Sequence, residues 1–309
     1  MSFAAMLGLG QTALELALFN SLTVLALFLS YTMLNVCDLS TDGCFALGAA
    51  VGGVVAISGH PFLSIPAAMA AGMLSGLVVA VLQTRMGVNS LLAGIIVNTG
   101  LYSVNIWIMG GSSILNMNKT PTVFSMLKAA LKGSPFGQLH ALIIGVVAAA
   151  AVIVFLVLFL RTRLGLSIRA TGNNPDMVRS SSINPVFTTI VGLCVSNSFT
   201  ALSGCLLAQS QKSVTVDIGS DMVTVALASL LIGNVFLGRR SIPLRAVGAV
   251  LGAFVFRLVY TVALRFNLPA FMLKLISSII VVIAISGPYL RGQLPTLRRR
   301  LGASGKAAN

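Results

Sequence analysis

The sequence predicts an all-α, polytopic membrane protein with about eight to ten transmembrane or partly spanning helices. Three observations carry that expectation. Of the 309 residues 57% are hydrophobic and the mean hydropathy is +0.99; only 6 are Asp or Glu; and apolar runs of spanning length recur along the chain. So little polar surface cannot cover a soluble globule.

In order, the apolar segments fall at about 12–34, 44–59, 62–83, 89–109, 139–160, 186–209, 222–238, 246–264 and 270–289. The start, MSFAAMLGLGQTALELALF, has no basic region ahead of its apolar run and no small-residue cleavage site after it, so the first segment reads as retained. The connection at 110–138 carries TPTVFSMLKAALKGSPF, which has room for a short surface helix. Nothing reads as a soluble domain, so 1–309 is taken as one membrane domain with a flexible cytoplasmic tail at 291–309. Cys37, Cys44, Cys194 and Cys205 lack the paired spacing of a metal or redox motif and read as small core residues.

The net charge of +14 is spread over short connections rather than gathered on one face or interleaved with aromatics. That pattern speaks for membrane topology and against nucleic acid as a partner. Arg85, Arg161, Arg163, Arg169, Arg179, Arg239, Arg240, Arg245, Arg291, Arg298, Arg299, Arg300 and Lys306 fall on one side. The opposite side has Lys119, Lys128, Lys132, Lys212, Arg265 and Lys274. The richer side is the cytoplasm. Nine crossings place the N-terminus outside if 44–59 spans fully, and inside if it only dips into the bilayer.

The most informative connection is RTRLGLSIRATGNNPDMVRSSSINPVF, at 161–187. Arg161 and Arg163 anchor it at the headgroups, and Asn174-Pro175-Asp176 supplies an N-cap, a helix-starting proline and an acidic first turn. Ser180 to Ser182 are poor helix formers, and Asn184-Pro185 repeats the start signal for the next span. A short, exposed, cationic helix below the membrane is expected.

This stretch resembles the permease subunits of ATP-binding-cassette importers of the branched-chain amino acid and ribose type. The matching pieces are Gly165, Arg169-Ala170, Gly172 to Asn174 and Ser182-Ile183-Asn184; two further blocks agree, DLSTDGCFALGAAVGG at 38–53 and SLLIGNVFLGRRSIPLRAVGAVLGAFV at 229–255. The chain is closest in flavour to the branch linked to aromatic amino acids or left uncharacterised. It departs from the family at 233–240, where many relatives have two glycines before the insertion that leads to Ser-Ile-Pro.

The resemblance implies an importer permease fold in a bacterial cytoplasmic (inner) membrane. It also implies a second permease copy or paralogue, two cytoplasmic ATPase subunits and an extracytoplasmic substrate-binding protein. ATP and Mg would sit on the ATPase, with no cofactor bound by this chain. The segment 161–185 would couple to the ATPase, with 173–183 as the coupling helix. In it Asp176 would cap the helix, Pro175 would fix its start, Arg169 and Arg179 would meet acidic surface on the ATPase, and Asn174 and Met177 would belong to the same coupling set.

Other features bear on a solute path. Gly48-x-x-x-Gly52, Gly72-x-x-x-Gly76 and Gly248-x-x-x-Gly252 permit close helix approach, within one subunit or between subunits. Segments 44–59 and 222–238 are short, glycine-containing and in comparable positions of the two halves, which points to discontinuous helices beside a transport site. Two spans carry dense polar sets: Asn98, Thr99, Ser103 and Asn105 in one, Ser196, Asn197, Ser198 and Thr200 in the other. Such groups face water or bond to another helix, because unpaired amides in hydrocarbon cost several kcal/mol. Asn98, Ser103, Asn105, Asn197, Ser198 and Asn234 are the candidates for the path. Arg257 sits near mid-span and is expected to pair with Asp221, Asp38 or Asp42 unless it is functional or snorkels.

Enzymatic motifs are lacking: His60 and His140 stand singly, and there is no HExxH, no GxSxG and no paired carboxylates within one span. A stand-alone secondary transporter would want buried acids along an ion path, and acids here are scarce. For the cargo, an amino acid is the first expectation and a sugar or nucleoside the second.

Overall fold

The computed structural model describes residues 3–131, 139–237 and 241–264, together with 275, 278, 279, 282 and 286. Eight of the nine expected segments are helices. The ninth, 270–289, lies outside the described residues apart from isolated positions, as do Arg239, Arg240, Lys132 and the tail.

α1 (Phe3–Leu27) continues as a wider π-helical turn through Phe28–Met33. α2 (Thr41–Ile57), α3 (Ser64–Thr84) and α4 (Ser90–Ile108) follow. After them come a three-residue strand β1 (Ile114–Asn116) and the short helix α5 (Val123–Ala130), closed by a capping box of Thr122 and Ser125. α6 (His140–Arg161) leads to α7 (Arg163–Asn173) and α8 (Pro175–Ser180); α9 (Pro185–Gln211) then crosses back to β2 (Ser213–Thr215), which pairs antiparallel with β1. A 3-10 turn, Val216–Gly219, precedes α10 (Met222–Leu237), and α11 (Ile242–Leu264) completes the described chain. Among the described residues seven helical stretches are long and apolar enough to span; α2, with 17 residues, is shorter.

α9 is the central post. Hydroxyls bind it to α1: Ser203 Oγ donates to the Phe19 carbonyl and Ser196 Oγ to the Ala26 carbonyl, each at 2.7 Å. α3 runs antiparallel to it, with Gln209 Nε2 donating to Ser64 Oγ at 2.7 Å at one end. Asn197, Ser198 and Thr200 are likewise buried: Asn197 bonds to Asp38 in the turn before α2, while Ser198 and Thr200 donate back to carbonyls of α9 itself. In hydrocarbon a hydroxyl needs a partner, and a neighbouring helix carbonyl provides one.

All three small-residue motifs pack inside the subunit. A Cβ on Gly48 or Gly72 would overlap backbone of α9, at Ala201 and Asn197 respectively, and one on Gly252 would overlap the Ser229 carbonyl of α10. Cys44 and Cys205 are buried, Cys37 and Cys194 half-buried, and all four thiols are free. By contrast α4 and α6 turn Ile95, Ile96, Trp107, Val147 and Leu158 outward, as a lipid-facing or partner-facing surface does.

α2 belongs to a broken span. It lies parallel to α9, with Cys44 Sγ donating to the Asn197 carbonyl, Gly48 on Ala201 and Gly52 on Cys205. It therefore begins beside the middle of α9. The preceding turn of chain, Leu34, starts against Gly172 of the arginine-rich α7, and residues 34–40 rise from there without helix. The segment as a whole crosses, which places the start of α1 on the outer side.

Candidate functional site: an inner-face loop and a polar cavity

The inner-face loop is built from successive caps. Thr162, in extended conformation, accepts Gly165 N–H through its hydroxyl at 3.1 Å and starts α7. This amphipathic helix was not expected from the arginines around it. Its buried residues Gly165, Ile168 and Thr171 follow the three-to-four spacing of one helical face, and Thr171 and Thr188 hydroxyls meet at 2.8 Å to fasten it to α9.

Asn174 then ends α7 and caps α8, its Oδ1 accepting the N–H groups of Asp176 and Met177, both at 3.1 Å. Pro175 occupies the first turn, as expected. The cap is Asn174 alone. The Asp176 carboxylate instead takes Arg179 Nη1 at 3.3 Å, with both side chains exposed. Asn184 repeats the capping motif for α9 through Val186 and Phe187 N–H. Of α8 only Val178 is buried, which roots the helix while Met177 faces outward at 60% exposure. Arg169 is half-buried on α7 rather than free on the surface, and its charge acts on Arg245 of α11, whose guanidinium lies 5.7 Å from the Phe28 ring.

The second site lies where the two short segments meet. Asp42 Oδ1 accepts Val223 N–H at 2.8 Å, so the first turn of α2 caps the start of α10. Beside this junction is a polar cavity of about 390 Å³, lined among others by Asp42, Asn98, Tyr102, Ser103, Asn105 and Asp217. Asn105, 1% exposed, donates Nδ2 to the Gly43 carbonyl at 3.2 Å, and its Oδ1 has no partner.

Three candidate path residues, Asn98, Ser103 and Asn105, thus come together; the other three do not. Asn197 Nδ2 donates to buried Asp38 Oδ2 at 2.7 Å. Ser198 donates to the Val195 carbonyl and edges an apolar groove of about 1150 Å³ between α3, α5, α6 and α9. Asn234 is half-buried on α10, away from the cavity lining. Of the carboxylates expected for Arg257, Asp38 is held by Asn197 and Asp42 by Val223, and the guanidinium lies 5.1 Å from the Tyr260 ring. Asp217 and Tyr102 were missed as cavity residues. The scarcity of acids was the available signal, since any acid near an apolar run in this chain is unusual.

A many-helix membrane bundle in which a broken span meets the turn before α10 at a polar cavity has the form of a membrane transport protein. The family described as branched-chain amino acid transport system / permease component matches residues 12–285, and the chain belongs to it. It is therefore a permease of the ATP-binding-cassette importer type and a multi-pass protein of the inner membrane. The chain is 28% identical over 267 residues to a tyrosine transport system permease protein of Clostridioides difficile, covering 86% of each. It is 30% identical over 281 residues to an uncharacterised protein of Rickettsia prowazekii, covering 89% of this chain and 96% of that one. A galactose/methyl galactoside import permease protein of Escherichia coli is 29% identical over 192 residues, 62% of this chain and 53% of its own. No solved structure matches the chain.

Proposed function

We propose that this chain is the membrane-spanning half of an importer that carries an amino acid inward. ATP hydrolysis takes place on two cytoplasmic ATPase subunits, which bind the ATP and Mg, and an extracytoplasmic binding protein delivers the solute. A second copy, or a paralogue, completes the path. The likeness to a tyrosine transport permease over 86% of both chains supports an amino acid. The likeness to a galactose permease favours a sugar as the second reading, over a shorter stretch.

The observation that carries the coupling role is the isolated helix Pro175–Ser180, bounded by two asparagine caps and rooted only by Val178. A short rigid piece fixed at both ends to spans transmits displacement from a docked motor, because closure of the motor moves both attached helices together. In this reading Asn174 and Pro175 set the start of the helix, Asp176 holds Arg179, Met177 and Arg179 meet the ATPase, and Arg169 braces α7 behind it.

The test is co-purification after mild detergent extraction. The intact chain is expected to bring down an ATPase subunit. Deletion of 174–181 is expected to abolish that association while leaving membrane insertion intact, and Met177→Asp, at an exposed position, is expected to weaken it without touching the fold. A deletion variant that still binds the ATPase and transports solute overturns the coupling assignment.

A further inference from the structure

We infer that the polar cavity between α2, α4 and the turn before α10 recognises a primary ammonium group, so that the solute moving along this face carries an amine. The transport meaning of this site rests on the importer reading above; the recognition chemistry does not.

The lining decides the chemistry. The whole chain has 6 acidic residues against 20 lysines and arginines, yet two of the acids, Asp42 and Asp217, border this one cavity, and among the described residues no Lys, Arg or His does. Its volume of about 390 Å³ falls in the range of about 300–1,000 Å³ usual for small-molecule sites.

Asn105 supplies the independent sign. Its amide nitrogen donates to the Gly43 carbonyl, leaving a buried oxygen that can only accept and has no donor among the described residues. An ammonium is the complement of such a site, since it has three donors and no acceptor. Asp42 has one oxygen committed to the α10 cap, so the carboxylate free to meet a cation is Asp217, which is exposed on the turn Val216–Gly219. Tyr102, 52% exposed, offers an aromatic face beside it. A carboxylate or phosphate group would meet repulsion here, with no basic side chain among the described lining residues to offset it.

The experiment reads the charge preference directly on the full chain in lipid nanodiscs. Ser103→Cys places a thiol in the lining at an exposed position, Thr99→Cys is a second such position, and Ser58→Cys, exposed at the end of α2, is the reference. Each is reacted with 2-aminoethyl methanethiosulfonate, which carries an ammonium, and with the 2-sulfonatoethyl reagent, which carries an anion. Site-resolved mass spectrometry follows the modification.

The ammonium-to-sulfonate rate ratio at the lining cysteines is expected to exceed the reference ratio by about tenfold, the order that a nearby carboxylate gives in a wet site. Asp217→Asn, which keeps size and hydrogen-bonding shape, is expected to remove most of that preference. Three results overturn the inference: equal normalised ratios, which mean a neutral solute; a preference unchanged by Asp217→Asn; or no reaction at either lining position while Ser58→Cys reacts. If instead no ATPase co-purifies while the charge preference is found, the importer reading fails and the site stands.

Discussion

The side-chain amide of Asn197 donates to the carboxylate of Asp38 at 2.7 Å across 159 positions of sequence, and both residues are 1% exposed. Asp38 also accepts Ser40 N–H at 2.8 Å, and its own carbonyl takes the Thr41 hydroxyl at 3.0 Å. The carboxylate therefore organises the non-helical turn at membrane depth, where backbone groups have no water to turn to. Hydrogen bonds to charged groups contribute about 1.5–3 kcal/mol. Asn197→Ala is accordingly expected to lower stability by that amount, and Asn197→Asp by more, since two buried carboxylates would then face each other. Thermal unfolding in detergent, followed by size-exclusion fluorescence, checks the order of the two variants.

The glycine on α2 that faces α9 gives a sharper contrast. A methyl on Gly48 would overlap the Ala201 carbonyl, whereas one on Gly100 of α4 would meet nothing within 4 Å. Gly48→Ala is expected to destabilise by about 1–3 kcal/mol through forced separation of the two helices. Gly100→Ala is expected to leave stability unchanged or raise it by about 1 kcal/mol, the helix-propensity gain at an open position. Midpoints for both variants under the same detergent conditions decide the matter. Equal loss in both would mean that helix contact is not what Gly48 provides.

The spans were legible because each repeats the same signal, a long apolar run between polar ends, and the caps were legible because Asn174-Pro175 and Asn184-Pro185 act through local chemistry. α7 was not legible, because Arg161 and Arg163 read as headgroup anchors and Arg169 as a contact to an ATPase, which masked the buried face of Gly165, Ile168 and Thr171. The cavity was half legible. Asn98 and Asn105, seven residues apart on one helix, share a face by periodicity, but Ser103 is turned away from them by that count, and Asp42 and Asp217 join them only through the long-range meeting of α2 with the chain before α10. Asn197 and Ser198 look the same as Asn98 in a one-dimensional reading; which polar group faces a cavity and which a neighbouring helix depends on packing that residue spacing within one span does not encode.

The Asp42 cap makes a local prediction. Asp42→Ala removes the side-chain acceptor of Val223 N–H, and loss of an N-cap costs about 0.5–2 kcal/mol. Asp42→Asn keeps an acceptor oxygen and is expected to retain most of that. Hydrogen exchange resolves the difference: the amides at the start of α10 should exchange faster in Asp42→Ala than in Asp42→Asn, while those at the centre of α9 stay protected in both. Uniform loosening throughout the bundle would assign Asp42 a global packing role instead.

On the inner face, shape and charge make separable contributions. The Arg179–Asp176 pair is exposed on both sides, with side-chain exposures of 65% and 85%, and pairs of that kind contribute about 0–1 kcal/mol. Asn174, by contrast, satisfies two N–H groups of a six-residue helix that has little else to hold it. Arg179→Ala is therefore expected to keep most solute uptake in cells carrying the complete importer, and Asn174→Ala to lose most of it at similar membrane abundance. Asn174→Asp, which preserves a capping oxygen, is expected to restore uptake toward the original level. The reverse ranking, with Arg179→Ala the more damaging, would mean that the docking contact is held by charge rather than by the fixed form of α8.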